Sequence, residues 1–307
     1  MRRDRVPKIA LLFPGQGAQT VGMGSGLLAR SERARELFAI ASGILGYDLA
    51  ELCLKGPDTQ LHLTCHSQPA LFVHSVASLA DFLQQRPEIA ADVVAVAGLS
   101  LGEYSALYAA GVIGFEDGVR LVAARGRAMQ DAASSIPSGM ASVLGLERDA
   151  VEALCERARV DGEILQVANL LCPGNIAISG QIASLAAAEG AASEAGAKFV
   201  RLSVAGAFHT AIMQPAVAAL QSALATASVV DARIPLISNV DAAPHTAAAE
   251  FVQLLTQQLV SPVLWESSLR QLIALGVEQC YEIGTGRVLT GTLKRTDRKL
   301  PCEAFGD

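Results

Sequence analysis

The chain has no apolar run long enough to span a bilayer. Its start also lacks the pattern of a secretory signal. Met1-Arg2-Arg3 precedes only a short apolar run, Ile9 to Phe13, which Pro14 and Gly15 break with no small-residue cleavage site after it. Paired cysteine spacing is missing as well. Cys53, Cys65, Cys155, Cys172, Cys280 and Cys302 form no Cys-x-x-Cys, so a disulfide framework is not expected and a reducing cytoplasm is. There is no basic excess. A net charge of −6 argues against nucleic acid as a partner. Repeats, low-complexity tracts and long disordered linkers are also absent. What remains is a chain of 307 residues, 51% hydrophobic, which can bury one large core or two unequal ones.

Two clusters are candidate sites of lesser weight. Arg287, Lys294, Arg295, Arg298 and Lys299 gather near the C-terminus, either as a patch for an acidic partner or as a solvated end. His62, Cys65 and His66 fall within about one turn, but no fourth ligand is evident and no metal is expected.

The strongest local signal is VVAVAGLSLGEYSALYAA, Val93 to Ala110. A β-branched apolar run leads into Gly98-Leu99-Ser100-Leu101-Gly102, and helical apolar spacing follows. Strand, sharp turn with a serine at its apex, then helix is the nucleophile-elbow arrangement. The glycines let the chain turn sharply, and the N–H groups opening the helix carry part of its positive end. The implied chemistry is acyl transfer through a serine ester. The plain alternative is a βα loop whose serine only caps the helix.

Strands and helices alternate through the first part of the chain: a strand at 8–13, helices at 32–45 and 69–85, the elbow strand and helix, then a helix at 115–131 carrying Arg120, Arg125 and Arg127. This pattern predicts a large α/β domain with a parallel sheet. From about Pro137 the order becomes β-α-β-β-α-β, with segments at 140–146, 148–159, 164–171, 175–179, 182–195 and 199–204. That is the ferredoxin-like unit. The reading is a small domain, 137–206, inserted in a large one made of 1–136 and 207–307, with further strands at 235–239 and 278–283.

A serine needs a base, and histidine is the usual one. The chain offers His62, His66, His74, His209 and His245. His209 is favoured because it follows the expected domain junction, where a cleft would form; His245 sits in a polar loop, and the first three precede the elbow in a helical stretch.

Phe-Pro-Gly-Gln-Gly-Ala-Gln at the N-terminus, GLSLGEYSAL, VRLVAARGRAMQ, GAFHT, QLVSPVLW and EIGTGRVLTG occur in that order. Together they resemble the malonyl-CoA:acyl carrier protein transacylase family, over nearly the whole chain from Lys8 to Arg295. The resemblance implies Ser100 as nucleophile and His209 as its base. It implies the backbone N–H groups of Gln16 and Leu101 as oxyanion hole, and the backbone carbonyl of Gln258 as the group orienting the histidine. Arg125 would hold the malonyl carboxylate, and Phe208 would favour malonyl over a branched extender unit. Malonyl-CoA is then the substrate and an acyl carrier protein the partner, supplying phosphopantetheine. No cofactor is bound, and a cytoplasmic monomer is expected. Two positions depart from the pattern: Leu99 stands where histidine is common, and Leu171 where some relatives carry asparagine. Lys198 and Arg201 are candidates for CoA phosphates.

Three other readings remain. An α/β-hydrolase-type thioesterase would use the same elbow, but that fold places its histidine after an acid and late in the chain. An acyltransferase subunit of polyketide synthesis or malonate decarboxylation would share the chemistry. A carrier-binding module without catalysis would not need Gln16, Ser100, Arg125 and His209 together.

Overall fold

A computed structural model describes residues 7–306, so the Met1-Arg2-Arg3 start lies outside the described residues. Among these, the strands in chain order are β1 (Ile9–Phe13), β2 (Val93–Gly98), β3 (Ser138–Leu144), β4 (Leu165–Cys172), β5 (Asn175–Gln181), β6 (Lys198–Arg201), β7 (Leu236–Ile237), β8 (Pro244–His245), β9 (Gln279–Ile283) and β10 (Cys302–Phe305). They form a six-stranded sheet ordered β10-β9-β1-β2-β7-β8 and a four-stranded sheet ordered β4-β5-β3-β6. The larger sheet is parallel except where β8 returns against β7. The smaller is antiparallel throughout. With the helices Arg148–Ala158 and Ile182–Glu194 as crossovers, the smaller sheet has the ferredoxin-like order.

Period-two alternation explains the position of β1. Ile9, Leu11 and Phe13 enter one hydrophobic core, while Ala10 and Leu12 enter a second core on the opposite face. In β2, Val96 joins the first core and Ala95 and Ala97 the second. Both faces are covered by helices, which is why these strands read as continuous apolar runs. A third core belongs to the smaller sheet and includes Val143, Leu154, Ile178 and Leu185. The two sheets meet where β4 bonds the segment around Val263: Leu170 N–H donates to the Val263 carbonyl (2.9 Å), and Val263 N–H to that of Ala168 (2.8 Å).

Some segments differ from the sequence reading. Strand β7 has two residues instead of spanning 235–239. The chain leaves the ladder at Ser238, whose N–H donates to the Ala243 carbonyl (3.0 Å) in the turn to β8. The helix expected from Pro69 begins at Thr64 and runs to Gln85 with the proline inside it. Proline usually stands in a helix's first turn; here its ring removes one interior hydrogen bond, and burial of the surrounding residues outweighs that loss. The helix expected at 115–131 runs from Phe115 to Ser135, and β6 stops at Arg201.

At the elbow, close approach demands glycine twice. A Cβ at Gly98 would fall on the Gly102 carbonyl, and a Cβ at Gly102 would fall on that of Phe13. Backbone has little room to move there. We expect Gly98→Ala to cost at least about 1–3 kcal/mol, the usual range for overpacking, and to lower Tm by roughly 2–4 °C per kcal/mol. Thermal unfolding checks this; a Tm within about 1 °C of the parent would refute the steric argument.

Candidate active site

Strands β1, β2 and β7 lie side by side and parallel, so the loops at their carboxyl ends emerge on one edge, where open α/β sheets place ligands. Those loops carry Gln16, Ser100 and Asn239 respectively. Ser100 has φ +51°, the left-handed region that L side chains seldom occupy. Asn239 secures it from both sides: its Oδ1 accepts from the Ser100 N–H (2.6 Å), and its Nδ2 donates to the Gly98 carbonyl (2.8 Å). Leu99 N–H donates to the Phe13 carbonyl (3.0 Å), tying the turn to β1.

Ser100 Oγ lies 2.9 Å from His209 Nε2. His209 is buried and also left-handed, at φ +61°. Its Nδ1 is 2.8 Å from the Gln258 backbone carbonyl. A carbonyl only accepts, so Nδ1 carries the proton and Nε2 presents its lone pair to the serine hydroxyl. Burial pushes the imidazole down to about 4; the nearby Arg125 charge adds to this, and the Gln258 carbonyl opposes it. The ring is therefore a neutral acceptor at neutral pH.

Arg125 projects from the helix Phe115–Ser135 and is 1% exposed. Its Nη1 donates to Gln68 Oε1 (2.8 Å), and its Nη2 donates to Gln258 Oε1 (2.8 Å) and to Ser100 Oγ (3.1 Å). The guanidinium carbon lies 5.3 Å from the centroid of the Tyr104 ring. Burial lowers its pKa, with Tyr104 and Glu103 pulling the other way. Among the described residues no carboxylate is bonded to this guanidinium. A buried cation held only by neutral oxygens and an aromatic face is a receptor for an anion. The nearby buried carboxylate, Glu103, is engaged elsewhere: its Oε2 accepts from Gln258 Nε2 (2.6 Å) and from the Asn239 N–H (3.3 Å). Burial pushes Glu103 up to about 7, against those hydrogen bonds and the Arg125 charge.

Ser100, Arg125 and His209 border a cavity of about 70 Å³. By this measure a water needs about 10–15 Å³, so the space suits an acyl group of a few heavy atoms. Phe208, Met129 and Leu99 wall it from the larger sheet's side, and Met140, Asn169 and Leu202 from the smaller sheet's side. Gln16 lies at its margin, with its side-chain amide 3.4 Å from Thr64 Oγ1. Among the described residues no hydrogen bond engages the backbone N–H of Gln16 or Leu101, and Leu101 opens the helix Gly102–Ala110. A larger cavity, about 700 Å³, lies beside Leu28, Phe38 and Tyr47 and touches none of these groups.

The structure thus brings together Gln16, Ser100, Leu101, Arg125, Phe208, His209 and Gln258. It leaves the other candidates apart. His62 and His66 bond the backbone carbonyls of Asp58 and Gln60. His245 is held between Asp241 and Glu250, less solvated than the loop reading implied. Arg201 pairs with Glu189, and neither it nor Lys198 lines the cavity. Arg295 ties the C-terminal helix to the Pro173 carbonyl (2.8 Å). Leu99 and Leu171, the two departures, both pack with the second core. Sequence reasoning missed Gln68, Glu103 and Asn239. Glu103 carried a usable signal, as a lone acid in an otherwise apolar helix must find a buried partner.

The family description "Acyl transferase domain" matches residues 10–304. The chain is 41% identical over 301 residues to the malonyl CoA-acyl carrier protein transacylase of Bacillus subtilis, covering 98% of this chain and 94% of that one. It superposes on the crystal structure of an acyl carrier protein S-malonyltransferase from Vibrio cholerae with a TM-score of 0.90, at 39% identity and covering 98% and 97% of the two chains. A malonyl-transacylase solved in complex with a type II PKS acyl-carrier protein gives 0.92, at 36% identity and covering 98% and 96%.

The environment of His209 predicts its titration. Its imidazole is expected to stay neutral from about pH 8 down to about 5 and to take a proton only near 4, where a solvated ring would do so near 6.5. The unfolded chain binds that proton first, so this residue's contribution to stability is complete above about 6.5 and is lost as pH falls toward 4. NMR titration of the imidazole C–H signals, assigned with His209→Ala, checks this. A midpoint near 6.5 would show a wetter site.

Proposed function

The chain belongs to the malonyl-CoA:acyl carrier protein transacylase family of acyl transferase domains, and from that premise we propose that it moves malonyl from malonyl-CoA to the phosphopantetheine thiol of an acyl carrier protein, in fatty acid synthesis. The observation that carries the acyl specificity is the buried Arg125 guanidinium, 3.1 Å from Ser100 Oγ and bonded to no carboxylate among the described residues.

The cycle is a double displacement. The malonyl carboxylate meets Arg125, whose planar fork can bond both oxygens. His209 Nε2 takes the Ser100 proton, and Oγ attacks the thioester carbonyl. The oxyanion falls to the backbone N–H groups of Gln16 and Leu101; in comparable sites one such donor is worth about 2.7–4 kcal/mol. The C–S bond breaks, the CoA sulfur takes the proton from His209, and CoA leaves. The carrier thiol then gives its proton to Nε2 and attacks the serine ester, and the ester C–O bond breaks with the proton returning to Oγ. No bound cofactor takes part. The Gln258 carbonyl stabilises the imidazolium that forms twice in each cycle. Phe208, 5% exposed, fills the space that a methyl branch on the acyl chain would need. The related complex with a carrier supports a carrier protein as acceptor and keeps polyketide synthesis as a second setting for the same chemistry. We place the protein in the cytoplasm, as a monomer.

Mass spectrometry of the protein mixed with malonyl-CoA should find a malonyl ester on Ser100, and active protein without it would refute the covalent route. Arg125→Ala separates binding from structure. Malonyl transfer should collapse, since partners of a buried ion pair are worth about 3–5 kcal/mol when one is removed, while acetyl transfer should persist or rise. Equal loss of both would make Arg125 a structural residue only.

A further inference from the structure

One buried carboxylate beside the site has no part in the reaction above. Glu103 is 1% exposed, three residues after the nucleophile. We propose that Glu103 is a positioning residue for malonyl recognition, its carboxylate turning the Gln258 side-chain amide so that the amide oxygen, and not the NH2, faces Arg125. This rests on the functional reading above and adds a residue to it.

A primary amide fits the same space either way round, and its partners decide which way it faces. Gln258 is 1% exposed, so water cannot settle the matter. Its Nε2 lies 2.6 Å from Glu103 Oε2 and 3.0 Å from the Ser100 carbonyl oxygen, with Asn239 Oδ1 at 3.5 Å. Its Oε1 lies 2.8 Å from Arg125 Nη2. Rotating the amide would set its oxygen against Glu103 and the Ser100 carbonyl, and its NH2 against a guanidinium that only donates. The Ser100 carbonyl and the more distant Asn239 amide oxygen also accept from Nε2, but the closest acceptor is Glu103 Oε2, which takes the Asn239 N–H as well and so is set as an acceptor toward Gln258. The same Arg125 nitrogen reaches Ser100 Oγ at 3.1 Å, so fixing the amide fixes where the guanidinium waits relative to the nucleophile. A glutamine at 103 would fill the same space but could offer its own NH2 to a rotated Gln258.

The test compares Ser100 acylation by malonyl-CoA and by acetyl-CoA in the full-length protein, Glu103→Gln, Gln258→Met and the double variant. Methionine at 258 keeps the backbone carbonyl that His209 needs and removes both ends of the amide. We expect Glu103→Gln to lower the ratio of kcat/KM for malonyl over acetyl by about tenfold, the scale of one charge-assisted hydrogen bond, with the change in the KM for malonyl-CoA and not in kcat. In the Gln258→Met background the same substitution should lower the ratio no further. An unchanged ratio in Glu103→Gln, or an equal drop in both backgrounds, overturns the proposal. Should Glu103→Gln fail to fold, Gln258→Met alone decides: the ratio must fall at least as far, and an unchanged ratio overturns it. Parent protein that forms no malonyl ester would sink the functional reading, whereas an ester with an unmoved ratio sinks only the role of Glu103.

Discussion

Everything at the seam between the two sheets is arranged around one desolvated cation. The Arg125 guanidinium is out of water, and burial alone would favour its neutral form. Tyr104 and Glu103 oppose that shift, and oxygens from two other helices, Thr64–Gln85 and Ala248–Gln258, converge on the guanidinium through Gln68 and Gln258. Their dipoles compensate it without neutralising it. A carboxylate in either place would stabilise the resting protein better and leave nothing for an incoming anion to gain. The site accepts an incompletely paired charge so that the acyl group can complete the pairing.

The same restraint marks the catalytic pair. Ser100 and His209 both occupy left-handed backbone conformations, which cost on the order of 1–3 kcal/mol each for residues with a side chain. Asn239 and the glycines around the elbow hold the first, and the buried Gln258 carbonyl fixes the ring of the second. Preorganisation of this kind keeps Oγ and Nε2 in contact before any substrate arrives, so little rearrangement is left for the reacting complex.

The elbow was legible because its chemistry and its geometry need the same residues: β-branched strand, glycine, serine, glycine, helix. The smaller sheet was legible because each of its elements carries its own periodicity. Arg125 stood out only by resemblance, since a basic residue on an amphipathic helix reads as solvent-facing until the packing turns it inward. Asn239 was beyond reach for another reason. Its strand pairs through only Leu236 and Ile237, and the side chain matters solely because β7 lies next to β2, an adjacency that no local pattern encodes. Gln68, just before Pro69, looked like a helix boundary and proved to be helix interior. Residues that act through long-range contact leave little trace in local sequence, whereas residues whose task is to bend the backbone leave a clear one.

His209 is oriented by main chain and not by an acidic side chain. A side-chain acceptor can be deleted by changing one codon; a peptide carbonyl survives nearly every substitution at its own position. The imidazole's support is thereby insulated from mutation, while the side chain at 258 answers to other partners, Arg125, Glu103 and the Ser100 carbonyl. Because that side chain faces the guanidinium, one residue serves two tasks through different atoms: its backbone carbonyl holds the imidazole, and its amide holds the cation that selects the acyl group.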